Sequence, residues 1–423
     1  MSLLPSGEKA EERGLKRPTA APIPAALACR EKQSPGGHPT AATLENRLKA
    51  VDGQTLTALV GNALGSKTLK VVDWQYQAIH AGIGGGVGGT HLYRFAGSAR
   101  DLDETVKWTL ILKILNAQSD ADSGGSHYWR REAEAYRSGL LDELPSGLAA
   151  PRCFGVIEYA NESCWLWLED VADDIGRWPL ERYGLAAYHL GRFNGLFVTT
   201  RTLPTWPWLS ASWIRSDIKI FGAEVGRFRD NLGRPLMRRF LPGDAAELLL
   251  RLWAEHETFM AALDGLPQTL CHFDAFRRNL FAKSAAGGDH TILIDWAFLG
   301  PGPIGAEIVS LVMLTLIFRE VPELQARDLD AVAFEGYLRG LRDAGWRGDA
   351  RQVRLGYTAS MALRRLAIIG YMLPEILGQD PHPRPRMEEV FGMPIDKCGD
   401  HMARIGQFVE TLAQEARDVI SPA

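Results

Sequence analysis

Cysteine is scarce in this chain: five stand among 423 residues, at positions 29, 153, 164, 271 and 398. Their number is odd, and no pair has the short spacing of a zinc knuckle or a redox motif, which excludes a disulfide scaffold and a zinc finger. Reduced thiols in a cytoplasmic protein are the expectation. Long apolar runs are missing too. The longest strongly apolar one, Ile308–Phe318 (IVSLVMLTLIF), is too short to span a bilayer and reads as a buried helix. The N-terminus has charges where a signal peptide needs an apolar stretch. Nor is charge of either sign in excess. A formal net charge of -4 offers no electrostatic hold on DNA or RNA, so neither a nucleic acid nor a membrane is an expected partner. No internal repeat is present. What remains is an ordinary globular composition, 46% hydrophobic and 23% charged, with twelve tryptophans to fill cores or line pockets. The length exceeds what one compact core supports and points to more than one lobe.

Residues 1–43 are rich in Pro, Ala, Gly, Lys and Glu without hydrophobic period and read as a disordered tail. Order is expected from a helix over 44–64. A strand-rich stretch follows: 68–80, a glycine run at 82–89 (GIGGGVGG), 91–96 and 106–115. Short glycine-containing links suit antiparallel hairpins. A helix is expected over 128–141, then strands over 152–159 and 164–168. After Glu169-Asp170 the pattern turns helical; Ala186, Leu190, Phe193 and Phe197 recur at helical steps, as do Ile405, Phe408, Val409 and Leu412. The fold class is therefore α+β in two lobes: a small antiparallel-sheet N-lobe over 44–170, a hinge, and a larger, mainly helical C-lobe over 171–423. A cleft between such lobes is a favoured ligand site.

The segment 270–281, LCHFDAFRRNLF, places His272, Asp274 and Asn279 in the pattern H-x-D-x-x-x-x-N. A short strand over 291–294 ends at Asp295 in LIDW. Here the sequence resembles the protein-kinase-like small-molecule phosphotransferases, the aminoglycoside phosphotransferase and choline kinase group, over about 71–420. The resemblance implies a kinase-like fold, ATP or GTP as phosphoryl donor, Mg²⁺, and a small hydroxylated acceptor. The chemistry fits. Phosphoryl transfer needs positioning and charge neutralisation more than covalent help. Mg²⁺ is hard and takes oxygen ligands, usually one or two carboxylates plus phosphate and water. Asp295 offers a carboxylate and Asn279 an amide oxygen. Asp274 can accept a hydrogen bond from the acceptor hydroxyl and take its proton late in the transfer. His272, by the resemblance, holds the loop in shape.

The resemblance also demands a lysine for the α/β-phosphates and a glutamate to hold it. Lys113 lies within the apolar strand TLILKIL, where its charge needs a partner; Lys107 opens the same strand and is the weaker candidate. On the next helix Glu132 borders the face shared by Trp129, Ala133, Tyr136 and Leu140, whereas Glu134 points away. The glycine run, with Gly85, Gly86 and Gly88, is assigned to the triphosphate by position, because backbone N–H groups in such a turn can cradle phosphate. Hinge backbone at Glu169 and Val171 is assigned to the base. The pattern departs from its relatives at Phe273, where a small residue is usual, at Arg277-Arg278, and at Glu307, which stands where an Asp commonly caps a helix. Arg277 or Arg278 offers contact to a γ-phosphate, or else a surface ion pair. Trp206, Trp208 and Trp213, and the helical pattern over 357–377 with Arg364 and Arg365, are candidate acceptor walls or plain core. A catalytically silent nucleotide-binding scaffold is the alternative. It would show loss of Lys, Asn or Asp at these positions, and none is lost.

Overall fold

The structure, a computed structural model, describes residues 41–79, 90–118, 122–159, 162–285, 288–378 and 387–421. Most of the segment read as a tail lies outside the described residues, as does the glycine run with Gly85, Gly86 and Gly88.

The chain begins with α1 (Ala41–Lys49) and α2 (Gly53–Leu64). The one helix expected here is two, because Asp52 caps the second: its side chain accepts from the Thr55 N–H at 2.8 Å. An Asp at this position satisfies an N–H that the helix itself leaves without a partner. Then come β1 (Lys70–Ile79), β2 (His91–Asp101) and β3 (Glu104–Asn116). The helix α3 (Arg131–Arg137) is shorter than its pattern suggests. Gly139 adopts a left-handed φ of 77° and turns the chain, a conformation that glycine enters freely. β4 (Leu148–Ala149), β5 (Cys153–Tyr159) and β6 (Ser163–Glu169) follow.

β1, β2, β3, β6 and β5, in that order, form one antiparallel sheet. β3 is therefore interior, not an edge. Its residues alternate between two cores. Leu110, Leu112 and Ile114 pack with α1 and α2 on one face. Leu115 packs with Leu166, Leu168 and Ala133 of α3 on the other. Lys113 shares parity with Leu115 and so faces α3.

The rest is mainly helical: α4 (Leu180–Thr199), α5 (Trp213–Asn231), α6 (Pro235–Phe240) and α7 (Ala245–Asp264). Four short strands intervene, β7 (Gln268–Cys271), β8 (Leu280–Ala285), β9 (Gly288–Leu293) and β10 (Gly300–Pro303). Then come α8 (Ile308–Ile317), α9 (Ala326–Asp343), α10 (Ala350–Ile376), α11 (Met387–Phe391) and α12 (Ile395–Ile420). α8 is the apolar run, buried along nearly its whole length. Among the described residues no helix is long and apolar enough to cross a membrane. Ala186, Leu190, Phe193 and Phe197 on α4, and Ile405, Val409 and Leu412 on α12, enter a single large core. The α+β architecture expected from the sequence is the one formed.

Candidate active site

Two small strand pairs set the chemistry in place. β7 pairs antiparallel with β10, and β8 with β9. The first launches the 272–279 loop beside the segment after Asp295. The second sets Leu280 opposite Leu293, and the Ile294 N–H donates to Asn279 O at 3.0 Å. Asn279 and Asp295 thus emerge at the same end of one hairpin, although they stand 16 positions apart in sequence.

Lys113 reaches out from β3 to both carboxylates. Its Nζ lies 2.5 Å from Glu132 Oε2 and 2.9 Å from Asp295 Oδ1. Burial alone would lower the lysine pKa; Asp295 and Glu132 outweigh it and hold the ammonium well above its usual range. Asp295 is burdened by the same desolvation, yet Lys113 holds its carboxyl low. Glu134 takes no part, meeting Arg137 on the far side of α3, and Lys107 is exposed.

Asp274 is held by Asn279, whose Nδ2 donates to Asp274 O at 3.0 Å and to Asp274 Oδ2 at 2.9 Å. Burial, aided by the nearby Asp295, pushes the Asp274 carboxyl up to about 8. His272 is fully buried, and both its ring nitrogens are engaged: Nε2 with Ile294 O at 3.1 Å and Nδ1 with the Asp274 N–H at 3.2 Å. Burial lowers its pKa to about 4. The ring is neutral, donates through Nε2 and accepts at Nδ1. His272 therefore positions the loop, and it is withdrawn from the groups that would touch substrate.

Phe273 and Asp295 both adopt left-handed φ, 66° and 65°. Each costs a non-glycine residue about 1–2 kcal/mol, and such strain gathers at functional sites. A glycine at 273 would relieve it. Here the ring is buried instead: it stacks on Trp213 and closes against Gly302, where an added Cβ would lie 2.3 Å from it. Glu307 secures the backbone. It makes no cap bond to α8; it accepts from His272 N at 2.7 Å, Phe273 N at 3.2 Å and Asn194 Nδ2 at 3.4 Å. Its helix-capping expectation is thus replaced by a loop-holding one. The only sequence signal was a lone acid before an unbroken apolar run.

Arg131 is a residue that the sequence reading missed. It is fully buried beside Glu132, and among the described residues it has no carboxylate partner. Nε donates to Trp208 O at 2.8 Å, Nη1 to Ser126 O at 2.8 Å and Ala297 O at 2.7 Å, and Nη2 to Gly125 O. The Ala297 bond ties α3 to the turn that follows Asp295. Arg131→Met would strand these carbonyls, and we expect it to cost about 3 kcal/mol in urea denaturation. A loss of a few tenths would mean that the carbonyls find other donors.

The other sequence expectations divide. The Glu169 N–H donates to Arg152 O at 2.9 Å, and its carboxylate accepts from Arg152 N at 3.1 Å, so neither is directed to a ligand. Val171 lies just beyond the sheet, after Asp170, which Arg94 grips with both Nε and Nη2. Arg277 pairs with Asp173, and Arg278 with Glu320, so the ion-pair reading holds for both. The tryptophans do not form one box. Trp206 and Trp208 stack on each other at 4.9 Å, while Trp213 packs against Phe273. Arg365 pairs with Glu410, whereas Arg364 lies over Trp213.

The donor set suits Mg²⁺. The Asn279 amide nitrogen is engaged by Asp274, which turns its carbonyl oxygen away as the ligand atom. Lys113 takes one Asp295 oxygen and leaves the second. Among the described residues no group of three or more His, Cys, Asp or Glu could enclose a metal.

The model of the family described as "Phosphotransferase enzyme family" matches residues 104–344, more than half of the chain. No curated protein matches the sequence. Among solved structures, a microcompartment-associated aminopropanol kinase is similar at 16% identity and a TM-score of 0.50, covering 85% of this chain and 98% of its own. Amicoumacin kinase hAmiN is similar at 14% and 0.49, covering 86% and 96%. An ethanolamine kinase of Plasmodium vivax is similar at 13% and 0.48, covering 93% and 100%.

Proposed function

The chain belongs to the phosphotransferase enzyme family, and from that premise we propose that it transfers the γ-phosphate of ATP or GTP to a hydroxyl of a small molecule. The observation that carries this reading is the buried Lys113, bridging Glu132 and Asp295 at 2.5 and 2.9 Å. A buried ammonium held by two carboxylates from different parts of the chain suits a polyphosphate that takes over part of its contacts. Glu132 keeps Lys113 aimed at the α/β-phosphates. Asn279 and Asp295 would hold Mg²⁺, which neutralises phosphate charge when bound. Asp274 aligns the acceptor hydroxyl for in-line attack and receives its proton. Its raised pKa makes the ionised carboxylate a stronger base for that proton. The Glu169 carbonyl and the Val171 backbone receive the base, and Gly85, Gly86 and Gly88 receive the triphosphate. The presence of Lys113, Asp274, Asn279 and Asp295 supports turnover over a silent nucleotide-binding scaffold.

Thermal shift with MgATP, MgGTP and EDTA controls tests the reading: a Mg²⁺-dependent rise is expected with at least one nucleotide. In calorimetry Asp295→Ala is expected to weaken MgATP binding by about tenfold or more. An unchanged affinity would remove Asp295 from the metal site.

A further inference from the structure

Next to Asp274 lies a charged pair that the nucleotide reading does not use. Arg364 projects from α10 and Asp217 from α5. Arg364 Nη1 is 3.6 Å from Asp217 Oδ2, beyond hydrogen-bond reach, and each side chain is only 12% exposed. The guanidinium lies 3.7 Å from the Trp213 ring centroid, and Trp213 stacks on Phe273, the residue before Asp274, at 5.4 Å. Arg364 is within electrostatic reach of Asp274 as well, and His127 of Asp217.

The guanidinium is left short of partners: among the described residues Arg364 Nε and Nη1 are buried with no hydrogen-bond partner. Asp217, almost as buried, faces it only at 3.6 Å, and burial pushes its carboxyl up. Leaving a buried polar group unmet costs about 1–3 kcal/mol, so a pair left this way invites a ligand that supplies the missing bonds. The charges limit that ligand. A simple cation would meet Asp217 but would leave the Arg364 donors unmet and be repelled by the guanidinium. A simple anion would meet Asp217 and Asp274 together. A molecule with both charges meets both partners: its carboxylate fits the guanidinium fork, and its ammonium fits Asp217.

We propose that Arg364 and Asp217 form the acceptor subsite and that the acceptor is a zwitterionic hydroxy-amino acid, its carboxylate on Arg364 and its ammonium on Asp217. This deepens the function proposed above and rests on it. The transfer itself is ordinary. The acceptor oxygen bonds to the γ-phosphorus, the bond from that phosphorus to the β-bridging oxygen breaks, the nucleoside diphosphate leaves, and the hydroxyl proton passes to Asp274.

Serine, ethanolamine and 3-hydroxypropionate share a primary hydroxyl, and the last two each lack one of serine's charged groups. Calorimetry on the MgADP-bound protein with these three, and with the corresponding set one carbon longer, tests the subsite. In at least one set the zwitterion is expected to bind about tenfold more tightly than either singly charged partner. Arg364→Gln should erase its advantage over the amino alcohol, and Asp217→Asn its advantage over the hydroxy acid, with MgADP affinity unchanged in both variants. Equal or tighter binding of an amino alcohol or a hydroxy acid overturns the proposal, and so does an absence of binding by both zwitterions. Failure of the wild-type protein to bind MgADP would instead overturn the nucleotide site on which it rests.

Discussion

Asp274→Ala is expected to slow phosphoryl transfer by about a thousandfold while leaving MgATP affinity nearly unchanged. The separation follows from geometry. Asn279 Nδ2 donates to both the carboxylate and the backbone carbonyl of residue 274. Removing the side chain leaves the carbonyl bond at 3.0 Å, so the amide oxygen keeps its orientation for the metal. What disappears is the group proposed to align the acceptor hydroxyl and take its proton. Transfer measured in single turnover, paired with calorimetry of MgATP, reads the two effects separately. Wild-type rates in the variant would remove Asp274 from the chemistry.

Lys113→Met should lower stability by about 3–5 kcal/mol and abolish transfer. The methionine fills similar volume, but Glu132, 2% exposed as a side chain, loses its ion pair with Lys113. Most of the cost is a stranded buried charge rather than lost packing. The double variant Lys113→Met, Glu132→Gln should therefore recover most of the stability in urea denaturation and none of the transfer. A double variant as unstable as the single one would assign the cost to packing. Recovered transfer would end the case for Lys113 as a phosphate ligand.

Much of this site was legible because its parts are local. His272, Asp274 and Asn279 share one loop, and Asp295 closes the strand after it. Short-range spacing carries such information directly. Glu132 was legible from helical periodicity, which set it at the edge of a buried face and Glu134 opposite. Lys113 was readable as a charge stranded in an apolar strand. Its facing was not, because a strand buried on both sides has no alternation to reveal which side is which. The single helix expected over 44–64 failed for a related reason: the apolar period runs on past Asp52, and only the cap geometry shows the break.

The sequence by itself determined the α+β class and the order of sheet and helices, which rest on periodicity within a few tens of residues, and it singled out the 272–279 loop and Asp295 by their spacing and the resemblance it carries. The tertiary structure decided the rest. Arg131 looks like an ordinary helix arginine until Trp208, Ser126, Gly125 and Ala297 gather their carbonyls around it. Glu307 looks like a helix cap until the fold brings His272 and Phe273 to it. Arg364 and Arg365 are neighbours in sequence, yet on a helix they diverge by about 100°; packing sends one to Glu410 and the other to Asp217 beside the catalytic loop. Partners drawn from distant parts of a chain leave no spacing to read, and a buried charge is defined by its partners.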